Sequence, residues 1–489
     1  MAKIYRYRAA SLGLAAALCV AGCTTITDIA SDVDVSPSSR PVTAENVRGG
    51  RLAAIGAQQH PRILAAYGGE YTDVKLERTV AAIVGRLVTV SDNPSQVYQI
   101  SILDSPVINA FALPGGYLYI SRGLLALAND DAELAAVIAH EMAHVTADHG
   151  IKRQRKEAEA ELAGRIVQEV LSDKSAGRRA LARGKVALAQ FSRNQELEAD
   201  AIGIAALSEA GFDAYAAARF QQTMDAYSKL SGTADGGDTS LDFLSTHPST
   251  PQRIELALGH ARKFGPRGTG SIDRESYLLG LDGLLYGDSP NEGFVRGQTY
   301  AHVGLGIAID FPEGFQIENR PEAVLAARPD GAAVRFDGAD VDAQTPLTAY
   351  LASGWVEGLD PGSIRALRIN GLDAAAARAL VGRWAFDITV FRARGDVYRI
   401  LTAVPAPGSD LEPLAADVRN SFRALNPTEA ARYKPLRIRV VRASASANGS
   451  VLAAKMEGFT DRNAAFRVLN GLKRGEGTKP GSLYKIVTQ

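Results

Sequence analysis

The spacing of apolar and polar residues changes character several times along the chain, and each change marks a candidate element. From Leu52 to about Val90 the apolar residues recur at helical spacing, with Pro61 near a helix start and Gly68-Gly69 separating two helices. Val97 to Leu103 alternates instead, with Tyr98, Ile100 and Ile102 set against Val97, Gln99 and Ser101, which is the period of a half-buried strand. Residues 109–120 (Asn-Ala-Phe-Ala-Leu-Pro-Gly-Gly-Tyr-Leu-Tyr-Ile) predict two short strands turned at Pro114-Gly115-Gly116. Pro and Gly there suit an edge strand, which can take up an extended peptide along Asn109, Gly116, Tyr117 and Leu118. A plain core hairpin is the other reading of the same residues.

Helical spacing returns after Asn129. Asp130 and Glu133 make a capping box, Leu134, Val137, Ile138 and Val145 form a buried stripe, and Gly150 falls just past the expected end. Lys152 to Asp173 predicts a charged helix whose basic start reads as a solvated face rather than a lipid contact. Gly232 to Ser240 reads as a flexible loop and a candidate lid. A Gly/Pro break at Gly265–Gly270 suggests a domain boundary.

From about Gly297 the pattern turns to short strands: Val303–Phe311, Ala323–Ala327, Ala332–Phe336, Trp384–Ala393 and Val397–Val404. Gly395-Asp396 is expected to turn the last pair, and helices are expected near Leu347–Gly354 and Leu411–Leu425. The tail begins with Leu436, Ile438 and Val440 alternating with arginines. Two helical stretches follow, then Pro480-Gly481 and a last strand.

Composition adds limits. At 489 residues, two or three domains are expected, and 46% hydrophobic residues suffice for real cores. Lys plus Arg total 54 and Asp plus Glu total 54, so no global field draws the chain to nucleic acid. The two cysteines are Cys19 and Cys23, which leaves no disulfide framework and no Cys-based zinc site in the body. Lys3, Arg6 and Arg8 precede the apolar run Ala9–Val20, which is too short to span a bilayer and has the form of an export signal. The run ends in Val20-Ala21-Gly22-Cys23, which resembles a bacterial lipobox cleaved before a lipidated Cys23; an ordinary export signal is the alternative. Cys19 suits that role less well, because Leu18 stands where a small residue is needed. The expected organisation is a signal peptide over 1–22 and a tether over 23–51. A mainly α domain with a small β-sheet follows over 52–265, then an α+β module over 266–430 and a small βααβ module over 434–489.

The chemistry concentrates in His140-Glu141-Met142-Ala143-His144. Two histidines four apart on a helix lie about 40° apart around its axis, so both rings reach one ion, and Glu141 beside them can accept a proton from its water. That is the pattern of a zinc hydrolase, and a catalytic zinc wants a third protein ligand and an open position. His149 lies about 140° around the helix from His144 and so points elsewhere. Ala147 and Gly150 stand where a metzincin needs Gly and His. In the downstream segment Asn194–Gly203, Glu196 and Asp200 share a helix face while Glu198 points away. Glu196 is then the candidate third ligand, and Asp200 the carboxylate behind a ligand histidine. Glu198 is a minor alternative ligand, and three solvated acids the bland one. His247, on the residues alone, reads as a loop residue.

His-Glu-Met-Ala-His followed by Glu-x-x-x-Asp resembles the HtpX-like and CAAX-prenyl-protease-like zinc peptidases. The resemblance extends to Asn109-Ala-Phe-Ala-Leu-Pro-Gly-Gly, Ser121-Arg-Gly-Leu-Leu125 and Ser245-Thr-His-Pro-Ser-Thr250, covering roughly residues 50 to 265. Without transmembrane helices, the chain is most similar to the soluble, exported BepA-like branch, which acts in outer-membrane quality control. The resemblance implies a gluzincin fold, one zinc ion on His140, His144 and Glu196, Glu141 as general base and Asp200 behind the ligands. It also implies that His247 approaches the metal, either to stabilise an oxyanion or to cap the ion at rest. The substrates it implies are misfolded or misassembled envelope proteins. The tail resembles a LysM module, which implies a peptidoglycan contact, although the usual Gly-Asp-Thr-Leu start is altered here.

Overall fold

The computed structural model describes residues 51–113, 115–153, 155–157, 174–231, 243, 247–406, 410–444 and 448–489. Cys23, the tether up to Gly50, residues 154 and 158–173 of the predicted charged helix and the 232–240 loop lie outside them. Among the described residues no helix is long and apolar enough to cross a membrane.

One compact unit contains Gly69–Gly287. Helix α1 spans Arg51–Ala66, with Pro61 inside it rather than near its start, and α2 spans Val74–Thr89 behind an Asp73 cap. Gly68 and Gly69 separate them, both at positive φ, a conformation that favours glycine. Strands β1 (Gln99–Leu103), β2 (Ala110–Leu113) and β3 (Tyr117–Ser121) form a sheet in the order β1-β3-β2. β3 runs parallel to β1 and antiparallel to β2. Gly116 begins β3 at φ 84°, and a β-carbon there would overlap Val97 O. The Ser121 hydroxyl ends the strand and caps α3 (Arg122–Leu127), accepting from Leu124 N and Asn109 N.

Helix α4 (Asp131–Thr146) is buried nearly all round, so it is the core helix of the unit. Asp130 accepts from Glu133 N, and the Glu133 carboxylate reaches back to Asn129 N. The expected end at Gly150 needs correction. The helix stops at Thr146, because Asp148 takes φ 54° and breaks the ladder; aspartate tolerates that conformation better than most residues. Helices α5 (Lys174–Glu209) and α6 (Ala216–Ser231) pack on α4. α7 (Pro251–Arg262) follows, with Thr250 as its cap and Pro251 in its first turn, and then α8 (Arg274–Leu281) and β4 (Leu285–Tyr286).

Asp288–Pro435 forms the main body of the other compact unit. β5 (Phe294–Arg296), β6 (Thr299–His302) and β7 (Ile307–Asp310) join β15 (Arg423–Ala424) in the order β15-β7-β6-β5. The single strand expected over 303–311 is thus a turn followed by β7, with Gly306 at positive φ. A seven-stranded sheet holds β8 (Gln316–Arg320), β9 (Ala323–Ala327), β10 (Ala333–Ala339), β11 (Leu359–Ile369), β12 (Leu372–Val381), β13 (Trp384–Ala393) and β14 (Asp396–Pro405). Its order is β11-β12-β13-β14-β10-β9-β8. Ala393 pairs with Asp396, so the turn residues are Arg394 and Gly395 rather than Gly395 and Asp396. Helices α9 (Leu347–Leu351) and α10 (Leu411–Ser421) pack on this sheet.

The chain then returns to the first unit, which includes Leu436–Gln489. Strand β16 (Leu436–Arg442), helices α11 (Gly449–Ala453) and α12 (Arg462–Leu469), and strand β17 (Leu483–Thr488) follow the expected strand-helix-helix-strand order. This segment is nevertheless continuous with the first unit. β16 pairs with β17 on one side and with β4 on the other. Ile438, Leu452, Met456, Phe466 and Ile486 share one core with Leu134 and Ile138 of α4. Lys485, 0% exposed, donates from Nζ to Ala126 O (2.7 Å), Leu127 O (3.2 Å) and Ala128 O (2.7 Å), satisfying carbonyls at the end of α3. The break expected near 265 falls inside this unit, which runs on to Gly287.

Candidate metal centre

The site is made where α5 crosses α4. The crossing is close because position 203 is glycine: a β-carbon there would lie 3.1 Å from His140 N and 3.2 Å from His140 Cα. One turn and two turns before Gly203, Asp200 and Glu196 face α4. Donor atoms of His140, His144, Glu196 and His247 all lie within 4.8 Å of one another. His144 Nε2 is 3.1 Å from His140 Nε2 and 3.4 Å from Glu196 Oε1. His247 Nδ1 is 2.9 Å from Glu196 Oε2 and 3.3 Å from His140 Nε2.

The opposite faces of these donors are occupied. His140 Nδ1 is 3.1 Å from Asp200 Oδ1. Arg253 holds Asp200 with two hydrogen bonds of 2.8 Å, reaches Glu196 Oε2 at 3.0 Å and donates to Pro248 O at 3.1 Å. It therefore ties the carboxylates of α5 to the residue after His247. Gln221 also donates to Asp200 Oδ1, at 3.2 Å.

The electrostatics follow from this crowding. Burial alone would raise the Glu196 carboxyl, but the His140, His144 and His247 imidazoles gathered around it hold it far below the usual range. Asp200 is held low in the same way by Arg253 and His140, against its burial. Burial would lower His140, yet Asp200 and Glu196 raise it to about 10. Burial keeps His144 below its ordinary value. Both carboxylates are ionised, as a metal ligand and its support must be.

Three imidazole nitrogens and a carboxylate oxygen are a donor set suited to zinc. One further observation fits a metal with bound water. Glu141, 3% exposed, has a buried Oε1 with no hydrogen-bond partner among the described residues, 3.7 Å from His247 Nε2. An unsatisfied buried carboxylate oxygen is costly and marks a place for a proton donor.

The structure thus brings together His140, His144, Glu196, Asp200, Glu141 and His247. Glu198 is not among them. His149 does not join the donor group either, but it does not point elsewhere: its Nδ1 lies 2.8 Å from His144 Nδ1. The wheel angle assumed a continuous helix, which Asp148 interrupts.

The expected peptide edge is also corrected. Tyr117 pairs with Gln99 and Leu113, and Leu118 with Ile100 and Ala112, so β3 is the centre of its sheet. Gly116 O is taken by Gln99 N. The outer strands are β1 and β2, and β2 packs on α4 just after the buried Asn109. Arg253 and Gln221 were missing from the sequence reading. The signal for Arg253 lay in Ser-Thr-His-Pro-Ser-Thr-Pro-Gln-Arg, where a capped helix start fixes the arginine a short distance after His247.

Residues 74–261 match peptidase family M48. The mitochondrial metalloendopeptidase OMA1 of Schizosaccharomyces pombe is 32% identical over 186 residues, covering 36% of this chain and 50% of that protein. A putative beta-barrel assembly-enhancing protease of Vibrio cholerae serotype O1 is 32% identical over 190 residues, covering 37% and 38%. The beta-barrel assembly-enhancing protease of Escherichia coli (strain K12) is 27% identical over 292 residues, covering 55% and 58%. The chain spans about half, or less, of the length of these relatives.

Proposed function

We propose that the chain is a periplasmic zinc metalloendopeptidase, anchored to the outer membrane through a lipidated Cys23 and acting on misfolded or misassembled envelope proteins in outer-membrane quality control.

 The observation that carries this reading is the four-donor group His140, His144, Glu196 and His247, beside a Glu141 oxygen with no hydrogen-bond partner among the described residues. Bound zinc would polarise a scissile carbonyl and bring the pKa of its water towards about 7. The residues of the chain supply the rest. Glu141 accepts a proton in the cleft and hands it to the leaving amine. Asp200, fixed by Arg253, holds the His140 ring from behind. His247 Nε2 stands near the Glu141 carboxylate, where it can donate to a developing oxyanion. The substrate backbone adds along the outer strand β2, Ala110–Leu113.

The test is Glu141→Gln in the purified full chain. It should keep zinc and lose cleavage of an unfolded protein such as casein, and chelation should abolish wild-type cleavage until zinc is returned. Full cleavage by Glu141→Gln sinks the mechanism. Metabolic labelling with a palmitate analogue tests the anchor, with Cys23→Ser expected to lose the label. The LysM-like tail adds a peptidoglycan contact to the proposal; a full chain that stays in the supernatant with sedimented peptidoglycan removes it.

A second reading is favoured by His247. As a fourth protein donor it closes the set, and closed sets are characteristic of structural rather than catalytic zinc. On that reading the chain is mainly a chaperone or assembly factor for outer-membrane proteins. Full complementation by a Glu141→Gln strain would favour it over proteolysis.

A further inference from the structure

His149 and Glu198 are the two residues that helical geometry sets aside as ligands, and the fold pairs them with each other behind His144. His149 is 3% exposed, and its backbone carbonyl is fixed by the buried Gln195 side chain at 2.8 Å. Its Nε2 is 3.3 Å from Glu198 Oε2, and its Nδ1 is 2.8 Å from His144 Nδ1. The rings of His144 and His149 meet edge to face, with centroids 4.8 Å apart.

The polarity of this chain of contacts follows from chemistry. An ionised carboxylate only accepts, so His149 Nε2 carries the hydrogen given to Glu198. The other nitrogen of a neutral imidazole then accepts, and it faces His144 Nδ1. That nitrogen must therefore be the donor, which leaves the lone pair of His144 on Nε2. His144 Nε2 is the atom turned towards His140 Nε2 and Glu196 Oε1. On the other ligand, Asp200 does the same work directly at His140 Nδ1.

We propose that His149, oriented by Glu198, is a positioning residue that fixes the tautomer and the ring orientation of His144 for metal binding. The inference rests on the metal reading of the site. Partners behind ligand histidines typically set metal affinity by about 10–100-fold.

The experiment measures zinc affinity of the full metal-stripped chain by chelator competition. His149→Leu, which cannot accept from His144 Nδ1, should bind zinc about 10–100-fold more weakly than wild type. His149→Gln, whose carbonyl can accept that hydrogen, should recover most of the loss. Glu198→Ala changes a side chain that is 53% exposed and so tests the same relay without threatening the fold. It should weaken binding by about two- to fivefold. Wild-type affinity in both His149→Leu and Glu198→Ala overturns the inference, as does a Gln variant as weak as the Leu variant. A wild-type chain that takes up no zinc overturns the metal reading itself, which keeps the two failures apart.

Discussion

Arg253→Met is the substitution that the site should tolerate least well among residues that are not themselves donors. The guanidinium is buried and makes two hydrogen bonds to Asp200 at 2.8 Å and a third contact to Glu196 at 3.0 Å. Methionine fills much of the same volume but leaves two buried carboxylates without their cation, and breaking a buried pair in this way costs about 3–5 kcal/mol. In a unit of this size that corresponds to a fall in Tm of about 6–20 °C, read by calorimetry on the full chain. The pH dependence adds a second readout. Asp200 is depressed in the fold, so its contribution is present above the ordinary carboxylate pKa, near 3.8, and is lost as the pH falls through the folded value. Wild type should therefore lose stability towards pH 3, and Arg253→Met should lose less of it over that range, having already lost the stabilising partner. Arg253→Lys keeps the charge without the two-pronged geometry and should fall between the two. A Tm within about 2 °C of wild type for Arg253→Met, with an unchanged acid slope, would refute the reasoning.

Three other outcomes follow from particular contacts. Gly203→Val places side-chain carbons against the His140 backbone; it should cost about 1–3 kcal/mol by thermal unfolding and also weaken zinc binding, and wild-type affinity would show that the close crossing does not set the site. Removal of 436–489 strips Ile438, Phe466 and Ile486 from the core of α4, so the shortened chain should lose cooperative unfolding and casein cleavage together; a soluble, active 1–435 would contradict the shared core. His247→Ala should weaken zinc binding less than His144→Ala in chelator competition, because His247 comes from a loop and His144 from the core helix; the reverse order would make His247 the stronger anchor.

The part of the site carried by regular helices was legible because side-chain direction on a helix follows from spacing alone. Glu196 and Asp200 lie within α5, where a four-residue interval keeps two side chains on one face, and both face α4 as expected. The same arithmetic misplaced His149 because it was carried past Thr146, where Asp148 leaves helical φ. Strand order was illegible for a related reason. Alternation marks β1 and β3 but does not say which neighbour each will choose, so the centre of the sheet was mistaken for its edge. β12 went unread because Asp373-Ala-Ala-Ala-Ala-Arg378 has helix-forming alanines and no alternation of size; its pairing with β11 and β13 overrides local preference.

The tail shows where a local pattern gives the order of elements correctly and their allegiance wrongly. A segment of this length that formed a module by itself would have to bury its apolar face internally. Here β16 instead has β4 on its second edge, and Phe466 and Ile486 lie in the core that contains Leu134 and Ile138. The one residue that could have betrayed this is Lys485, a charged residue in the strand Leu-Tyr-Lys-Ile-Val-Thr, where a buried position is expected. An ammonium is almost never fully buried unless it is paired, and the carbonyls it needs are those at the end of α3, just ahead of the Asp130 cap that starts α4. The tail is therefore tied by its most buried charge to the segment that sets the start of the helix bearing His140 and His144. That tie comes from a segment that lies wholly beyond the family match over 74–261.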